Sequence, residues 1–329
     1  ASLYPLGLSA RGRAGGDEPA RPNILWIYVE DMCPWLSCYG DTVVETPVLD
    51  KLAQRGTRFG RFYVPAPVCS PCRSAIITGS MQTTLGVHQH RSSRTEASAI
   101  DLPEGVRTIP ELFRGAGYYT FNQGKTDYNF AYDRKDLYVF ANKQMFRASM
   151  HPSKLWKPAV EAGKPFFGQI QLRGGKNTGK VTPLTDPARV DVMPYYPDCE
   201  IVRKEIAHHH DCVVQTDREV FGILESLKRD GLLKNTVIFF FTDHGFRMHR
   251  HKQFCYEGGI RTPLIVAGPG IPAAAVRDDL VSGIDVGPAS LALAGIDVPG
   301  HIEGRALFAG DHEPRTFVVS ARDRCDYTI

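Results

Sequence analysis

Long apolar runs, blocks of like charge and paired cysteine motifs are all missing from this 329-residue chain. No apolar run approaches the roughly 18 residues that a membrane span requires, and none is expected. No stretch of about five or six basic residues occurs and the formal net charge is only +3, which gives no basis for binding nucleic acid or an anionic membrane. The eight cysteines (33, 38, 69, 72, 199, 212, 255 and 325) are too sparse for a disulfide scaffold. They also lack the doubled C-x-x-C layout of a structural zinc ribbon. No repeat period and no low-complexity tract interrupts the chain.

What remains is a globular composition, 43% hydrophobic and 23% charged, sufficient for one large core or a core with a small annex. Residues 1–22 are polar, rich in Gly and Arg and aperiodic. They read as a flexible lead-in left after removal of a secretory leader, so a secreted or periplasmic location is expected. Residues 23–310 read as one catalytic α/β domain, and 311–329 as the start of a C-terminal subdomain, short or truncated.

Within the main domain, strand-length apolar runs alternate with helical patterns. "NILWIYV" (23–29), "FFGQIQL" (166–172), "TVIFFFT" (236–242) and "TPLIVAG" (262–268) read as buried strands. "TPVLDKLAQRG" (46–56) has Pro47 in its first turn and a stop at Gly56, and "TIPELFRGAGYYTFNQG" (108–124) opens with a Thr-x-x-Glu capping pattern before turning into a strand. Residues 217–233 place Val220, Ile223, Leu224 and Leu227 on one helical face. This alternation predicts a mainly parallel sheet covered by helices on both faces, with residues 173–200 as a surface excursion.

Ligands of open α/β sheets bind beyond the carboxyl ends of the strands, and two strands end there in charge. The first runs into Glu30-Asp31, the strand at 236–242 into Asp243-His244. An acid at one strand end is ordinarily a solvated loop residue; two such pairs supply most of a site for a divalent cation. The imidazole of His244 suits manganese or zinc better than calcium. Arg73, Lys125 and Lys252 follow nearby elements and would together clamp an oxyanion. The lone C-x-x-C, Cys69 to Cys72, is a weak signal for a redox pair or half a zinc site, and Arg73 directly after it speaks against both.

These motifs together resemble the type I, formylglycine-dependent sulfatases of the alkaline phosphatase superfamily. Cys69-Ser70-Pro71-Cys72-Arg73 followed by "SAIITG" is similar to the Cys-x-Pro-x-Arg signature and its helix. "PNILWIYVEDM", "GKTDYN" and "TVIFFFTDHG…KQFCYEGGIRTPLIVAGPG" resemble the family's other segments in the same order. The resemblance implies an alkaline-phosphatase-like fold and hydrolysis of a sulfated carbohydrate or similar small ester, as an O- or N-sulfate. It implies Cα-formylglycine derived from Cys69 by a formylglycine-generating or anaerobic maturation enzyme, and a divalent metal, first Ca2+, with Mn2+ or Zn2+ as alternatives. The implied metal ligands are Glu30, Asp31, modified Cys69, Asp243 and His244. Arg73 would support the nucleophile, and Lys125 and Lys252 would hold sulfate.

The chain departs from the family pattern at several places. Glu30-Asp31 stands where Asp-Asp is usual, and His244 stands where Asn often follows the second metal Asp, as in phosphonate and phosphate-ester relatives. Asp127 replaces the histidine of Gly-Lys-x-His, leaving it as a base or as a contact for a sugar hydroxyl or amine. "RGGKN" replaces a Pro-His pair, so Lys176 is a candidate substrate contact. So are His88, beside His90, and His209 within the run His208–His210, whose helical reading lets at most one or two members face a pocket. The alternative functions are a phosphodiesterase or phosphonate monoester hydrolase on the same scaffold, and a non-catalytic sugar-binding relative.

Overall fold

The structure is a computed structural model and describes residues 21–93, 95–177, 181–310 and 313–322. Residues 1–20 of the expected lead-in, and residues 311–312 and 323–329 of the expected C-terminal subdomain, lie outside the described residues.

Among the described residues there are ten strands: β1 (Asn23–Val29), β2 (Gly56–Phe59), β3 (Phe62–Tyr63), β4 (Tyr119–Gln123), β5 (Phe140–Asn142), β6 (Phe166–Leu172), β7 (Thr236–Thr242), β8 (Leu264–Ala267), β9 (Ala275–Arg277) and β10 (Val281–Ser282). Eight of them form one sheet in the order β5-β4-β6-β1-β7-β8-β2-β9, while β10 and β3 pair separately. Every pairing in the large sheet is parallel except those of β8, which runs antiparallel to both β7 and β2. The helices are α1 (Pro47–Gln54), α2 (Cys69–Thr78), α3 (Ile109–Gly115), α4 (Arg134–Leu137), α5 (Ser153–Glu161), α6 (Glu200–Arg229), α7 (Glu257–Ile260) and α8 (Val286–Leu293).

The continuous apolar strands follow from burial on both faces. In β1, Ile24, Trp26 and Tyr28 enter one core with α2, α3 and α8, while Leu25, Ile27 and Val29 enter the other with α1, α5 and α6. Burying each large side chain is worth roughly 1.5–3 kcal/mol, so β1 and β7 anchor both layers. Trp26 keeps its indole N–H satisfied by donating to Ser290 Oγ at 2.9 Å. The Thr108–Glu111 capping box starts α3 as the sequence indicates, with Thr108 N donating to Glu111 Oε2 at 2.7 Å. No helix among the described residues is long and apolar enough to cross a membrane.

The largest departure from the expected elements is α6, which begins at Glu200 rather than near residue 217. Its first half buries His209, His210 and Asp211 among Ile206, Ala207 and Val213. Asp211 Oδ1 accepts from Leu184 N and Thr185 N, and His210 Nε2 lies 3.1 Å from Asp41 Oδ2. A helix face that interleaves buried polar groups with apolar ones blurs the hydrophobic periodicity.

The second half of α6 buries Glu219, which has Gln215 Nε2 at 3.3 Å. Burial pushes its carboxyl up to about 7, against smaller opposing effects of Gln215 and Arg173. A raised folded-state value means the folded protein binds this proton more tightly than the unfolded chain. Its contribution is therefore full below the unfolded value and lost as pH rises toward about 7. Glu219→Gln should gain about 1–2 kcal/mol over the parent at pH 8 and little at pH 4. Urea melts at the two pH values would show it; parallel pH dependence in both proteins would refute it.

Candidate active site

Strand register assembles the site. Val29 is paired with Thr242 of β7 on one side and Leu172 of β6 on the other, so three parallel strands end level. Glu30-Asp31, Asp243-His244 and the Arg173–Lys176 turn thus leave from one edge of the sheet. On the far side of β6, β4 delivers Gly124-Lys125, and α2 starts at Cys69.

Asp31, Cys69, Asp243 and His244 are all buried, and one ligand atom from each lies within 4.8 Å of the other three. Cys69 Sγ is 3.2 Å from His244 Nε2, which is itself 3.4 Å from Asp31 Oδ1 and 3.6 Å from Asp243 Oδ1. Asp31 Oδ1 is buried without a hydrogen-bond partner among the described residues. An orphaned carboxylate oxygen facing an imidazole, a second carboxylate and a cysteine is the donor set a divalent cation fits. Glu30, the fifth expected ligand, lies outside this cluster and meets three cations. Its Oε1 is bound by Arg73 Nη2 (3.3 Å) and Lys125 Nζ, and its Oε2 by Lys176 Nζ (3.3 Å).

Arg73 is 1% exposed and lies beneath the acids. Nε and Nη2 donate to Asp243 Oδ2 at 3.2 and 3.1 Å, Nη1 donates to Gln171 Oε1 at 2.8 Å, and the guanidinium lies 4.3 Å over the Tyr28 ring. Lys252 Nζ reaches Asp31 Oδ2 at 2.7 Å. Cys72 does not pair with Cys69; both are free thiols, and Cys72 Sγ donates to Asp243 O at 2.8 Å.

Acids and cations interleaved in this interior hold one another charged. Burial opposes ionisation of Asp243, yet His244, Arg73, Lys125 and Lys252 hold it well below the usual carboxylate range. Burial likewise pushes the His244 imidazolium down, but Asp243, Cys69 and Asp31 bring it up to about 9. The Cys69 thiol, raised by burial, ends below its ordinary value because His244 and Lys125 outweigh that effect. Burial also opposes the charge on Lys252, and Cys69 and Asp31 more than restore it.

Asp127 sits at φ 56° with its carboxylate gripped by Arg91, Nε to Oδ1 and Nη2 to Oδ2 both at 3.0 Å, and by Lys125 Nζ at 3.2 Å. Burial raises its pKa, but Lys125 and Arg91 hold it below the carboxylate range. A carboxylate bound in this way is a poor proton acceptor and a good brace for Lys125. Lys176 is partly exposed at the rim. His88 is half-buried on the same turn as His90, whose imidazole is driven down to about 4 by burial and by Arg91.

His209 is not brought to the open face. It is 0% exposed, with its ring 4.1 Å from Phe246 and 5.1 Å from Trp35, and its Nε2 accepts from Cys33 N at 3.5 Å. Gly174 and Gly175 explain "RGGKN": a Cβ on Gly175 would lie 2.0 Å from Asp31 O, and one on Gly174 2.3 Å from Glu30 O. The sequence reading missed Arg91 and Gln171. Gln171 could have been found, because two glutamines inside the otherwise apolar strand β6 demand buried partners. Gln171 Nε2 donates to Asn122 Oδ1 and Gln169 Oε1, both at 3.1 Å.

Backbone strain gathers here as well. Six non-glycine residues among those described have positive φ, and Asp31, Arg91, Asp127, Arg250 and Gln253 belong to the loops around this site. Each costs roughly 1–2 kcal/mol for an L-residue, and such strain collects at functional sites.

Comparison with known proteins adds an independent finding. The family described as Sulfatase matches residues 22–296. The chain is similar to the "Ulvan-active sulfatase" of Formosa agariphila, 31% identical over 94% of this chain and 58% of that protein. It is also similar to the N-acetylgalactosamine-6-sulfatase of Rattus norvegicus, 27% identical over 90% of this chain and 66% of that one. The chain thus spans roughly three-fifths to two-thirds of the length of these relatives. Among solved structures, the PsFucS1 sulfatase from Pseudoalteromonas sp. matches with a TM-score of 0.68 at 20% identity, over 90% of this chain and 73% of that one. The phosphonate monoester hydrolase SpPMH from Silicibacter pomeroyi matches with a TM-score of 0.69 at 19% identity, over 87% of this chain and 76% of that one. At these identities the structural likeness shows a common fold.

Proposed function

Because the chain belongs to the sulfatase family, we propose that it hydrolyses a sulfate ester of a carbohydrate, with residue 69 as the seat of the nucleophile. The observation that carries this reading is the placement of Cys69. It opens α2 inside the buried cluster with Asp31, Asp243 and His244, and its electrostatic neighbours include Lys125.

Asp31, Asp243, His244 and the oxidised side chain of residue 69 would hold a divalent cation, with Glu30 behind them through Arg73 and Lys125. Such a cation, first Ca2+ and otherwise Mn2+ or Zn2+, supplies Lewis acidity toward a sulfate oxygen and toward the nucleophile. A maturation enzyme would convert Cys69 to Cα-formylglycine, whose hydrate offers one hydroxyl to attack sulfur and a second whose deprotonation expels sulfate. Lys125 and Lys252 bind the remaining sulfate oxygens as cations. Lys252, kept charged by Asp31, is also placed to give a proton to the departing sugar oxygen. Asp127 fixes Lys125 and takes no proton itself.

Mass spectrometry of the tryptic peptide containing residue 69, together with free sulfate measured on sulfated oligosaccharides, tests the reading. The relatives' names make ulvan and N-acetylgalactosamine-6-sulfate the first substrates to try. An unmodified thiol with no sulfate released would overturn it. The second reading, a phosphonate or phosphate-ester hydrolase, is favoured by His244 after Asp243; matched nitrophenyl sulfate and phosphate esters separate the two.

Lys252→Ala should lower kcat on a sugar sulfate about 10²–10³-fold, the loss seen when one donor to a developing charge is removed. The loss should be much smaller on nitrophenyl sulfate, whose leaving oxygen needs no proton. An equal loss on both substrates would remove Lys252 from the proton-donating role and leave it only as a sulfate ligand.

A further inference from the structure

We infer that the loop carrying Lys252 also forms a sugar-binding platform, a second subsite for the ring next to the sulfated one; this rests on the sulfatase reading above. Two aromatic side chains of this loop and Tyr195, from the segment before α6, face solvent there: Tyr195 is 42%, Phe254 39% and Tyr256 53% exposed. Phe254 and Tyr256 lie nearly parallel, 11° apart with centroids at 6.1 Å. Between Tyr195 and Tyr256 sits the Arg250 guanidinium, 4.9 Å from each ring centroid.

The platform is continuous with the site and rigidly attached to it. Gln253 N donates to Pro67 O at 2.7 Å, two residues before Cys69, and Lys252 N donates to Phe246 O at 2.9 Å. Beneath the surface, Tyr195 Oη is 3.1 Å from His251 Nε2, and His251 Nδ1 is 3.3 Å from Cys33 Sγ, two residues after Asp31. Arg250 and Gln253, at φ 64° and 74°, bend the loop so that Lys252 points inward to Asp31 while Phe254 and Tyr256 face outward.

Exposed apolar rings gathered in one patch and rimmed by polar groups mark a ligand-binding surface. A pyranose presents an apolar C–H face to an aromatic ring and hydroxyls around its edge, matching rings that are apolar in body and polar at the tip. Arg250 stacks through its planar face and keeps its N–H edge for an anionic substituent, a sulfate or carboxylate, on that neighbouring ring. The occupant is therefore an oligosaccharide carrying a further anionic group, in place of a monosaccharide sulfate alone.

The test compares sulfated ulvan oligosaccharides with nitrophenyl sulfate as substrates for the parent, Tyr256→Ala, Tyr256→Phe and Phe254→Ala. The ratio of kcat/KM for oligosaccharide over aryl ester should fall about tenfold in Tyr256→Ala and Phe254→Ala, as loss of one stacking ring predicts. It should be kept in Tyr256→Phe, which preserves the ring. If the ratio is the same in all four proteins the platform is overturned, while sulfate release by the parent still upholds the sulfatase reading. If the parent releases no sulfate, that reading falls, and mobility in gels cast with ulvan decides the platform separately. Retardation of the parent that is weakened in Tyr256→Ala supports it; equal mobility overturns it.

Discussion

Replacing Cys69 with alanine is expected to abolish sulfate release, by at least about 10⁴-fold, since the group that would form the covalent intermediate is gone. The melting temperature should barely move. Cys69 is buried at the start of α2, where its sulfur lies 3.2 Å from His244 Nε2. Trimming one atom there removes little apolar surface. Cys72→Ser is the instructive partner. Its sulfur donates to Asp243 O, a bond that a hydroxyl reproduces, so activity should stay within a few-fold of the parent. If both substitutions were equally inactive, the pair would have to work as two cysteines, and the nucleophile reading would fail. Sulfate release by ion chromatography and a thermal melt of each variant are sufficient.

How far the site could be read from the chain depends on what kind of signal each residue leaves. Strand ends are legible because a buried parallel strand must be apolar until it leaves the sheet. The first charges after "NILWIYV" and "TVIFFFT" therefore mark the carboxyl edge, and the shared register of Val29 and Thr242 does the rest. The role of Glu30 was less legible, because spacing fixes where a carboxylate starts and says nothing of which cation it meets. Its extra methylene lets it reach Arg73, Lys125 and Lys176. Asp127 is a similar case: its anomaly was visible, but its partner Arg91 lies 36 residues away in a turn without periodicity. His209 was misjudged for a different reason. A histidine on a helix carries no mark of which face is buried when the inward face mixes polar and apolar groups, as it does along the first half of α6.

Arg73→Met should produce the largest loss of stability of any single change at this site. Arg73 is enclosed and touches Asp243, Glu30, Gln171 and the face of Tyr28 at once. Methionine fills much of the space and leaves two carboxylates, 3% and 0% exposed, short of their shared cation. Breaking a buried pair by removing one partner costs about 3–5 kcal/mol, chiefly because the stranded charge stays desolvated. The sign of the pH dependence follows from Asp243. Its folded-state pKa is depressed, by His244 and then Arg73 against the opposing effect of burial, so its contribution is present above the unfolded value and lost as pH falls. Without Arg73 that depression shrinks, and the deficit against the parent should be full near pH 7 and smaller only below the unfolded carboxylate value, at about pH 2. Added Ca2+ should raise the melting temperature of the variant more than that of the parent, because a cation among Asp31, Asp243 and His244 then replaces missing positive charge. Urea melts at the two pH values and calorimetry with and without Ca2+ measure both effects. A deficit independent of pH and of Ca2+ would mean that Arg73 acts by packing on Tyr28, and the charge-bridging account would be withdrawn.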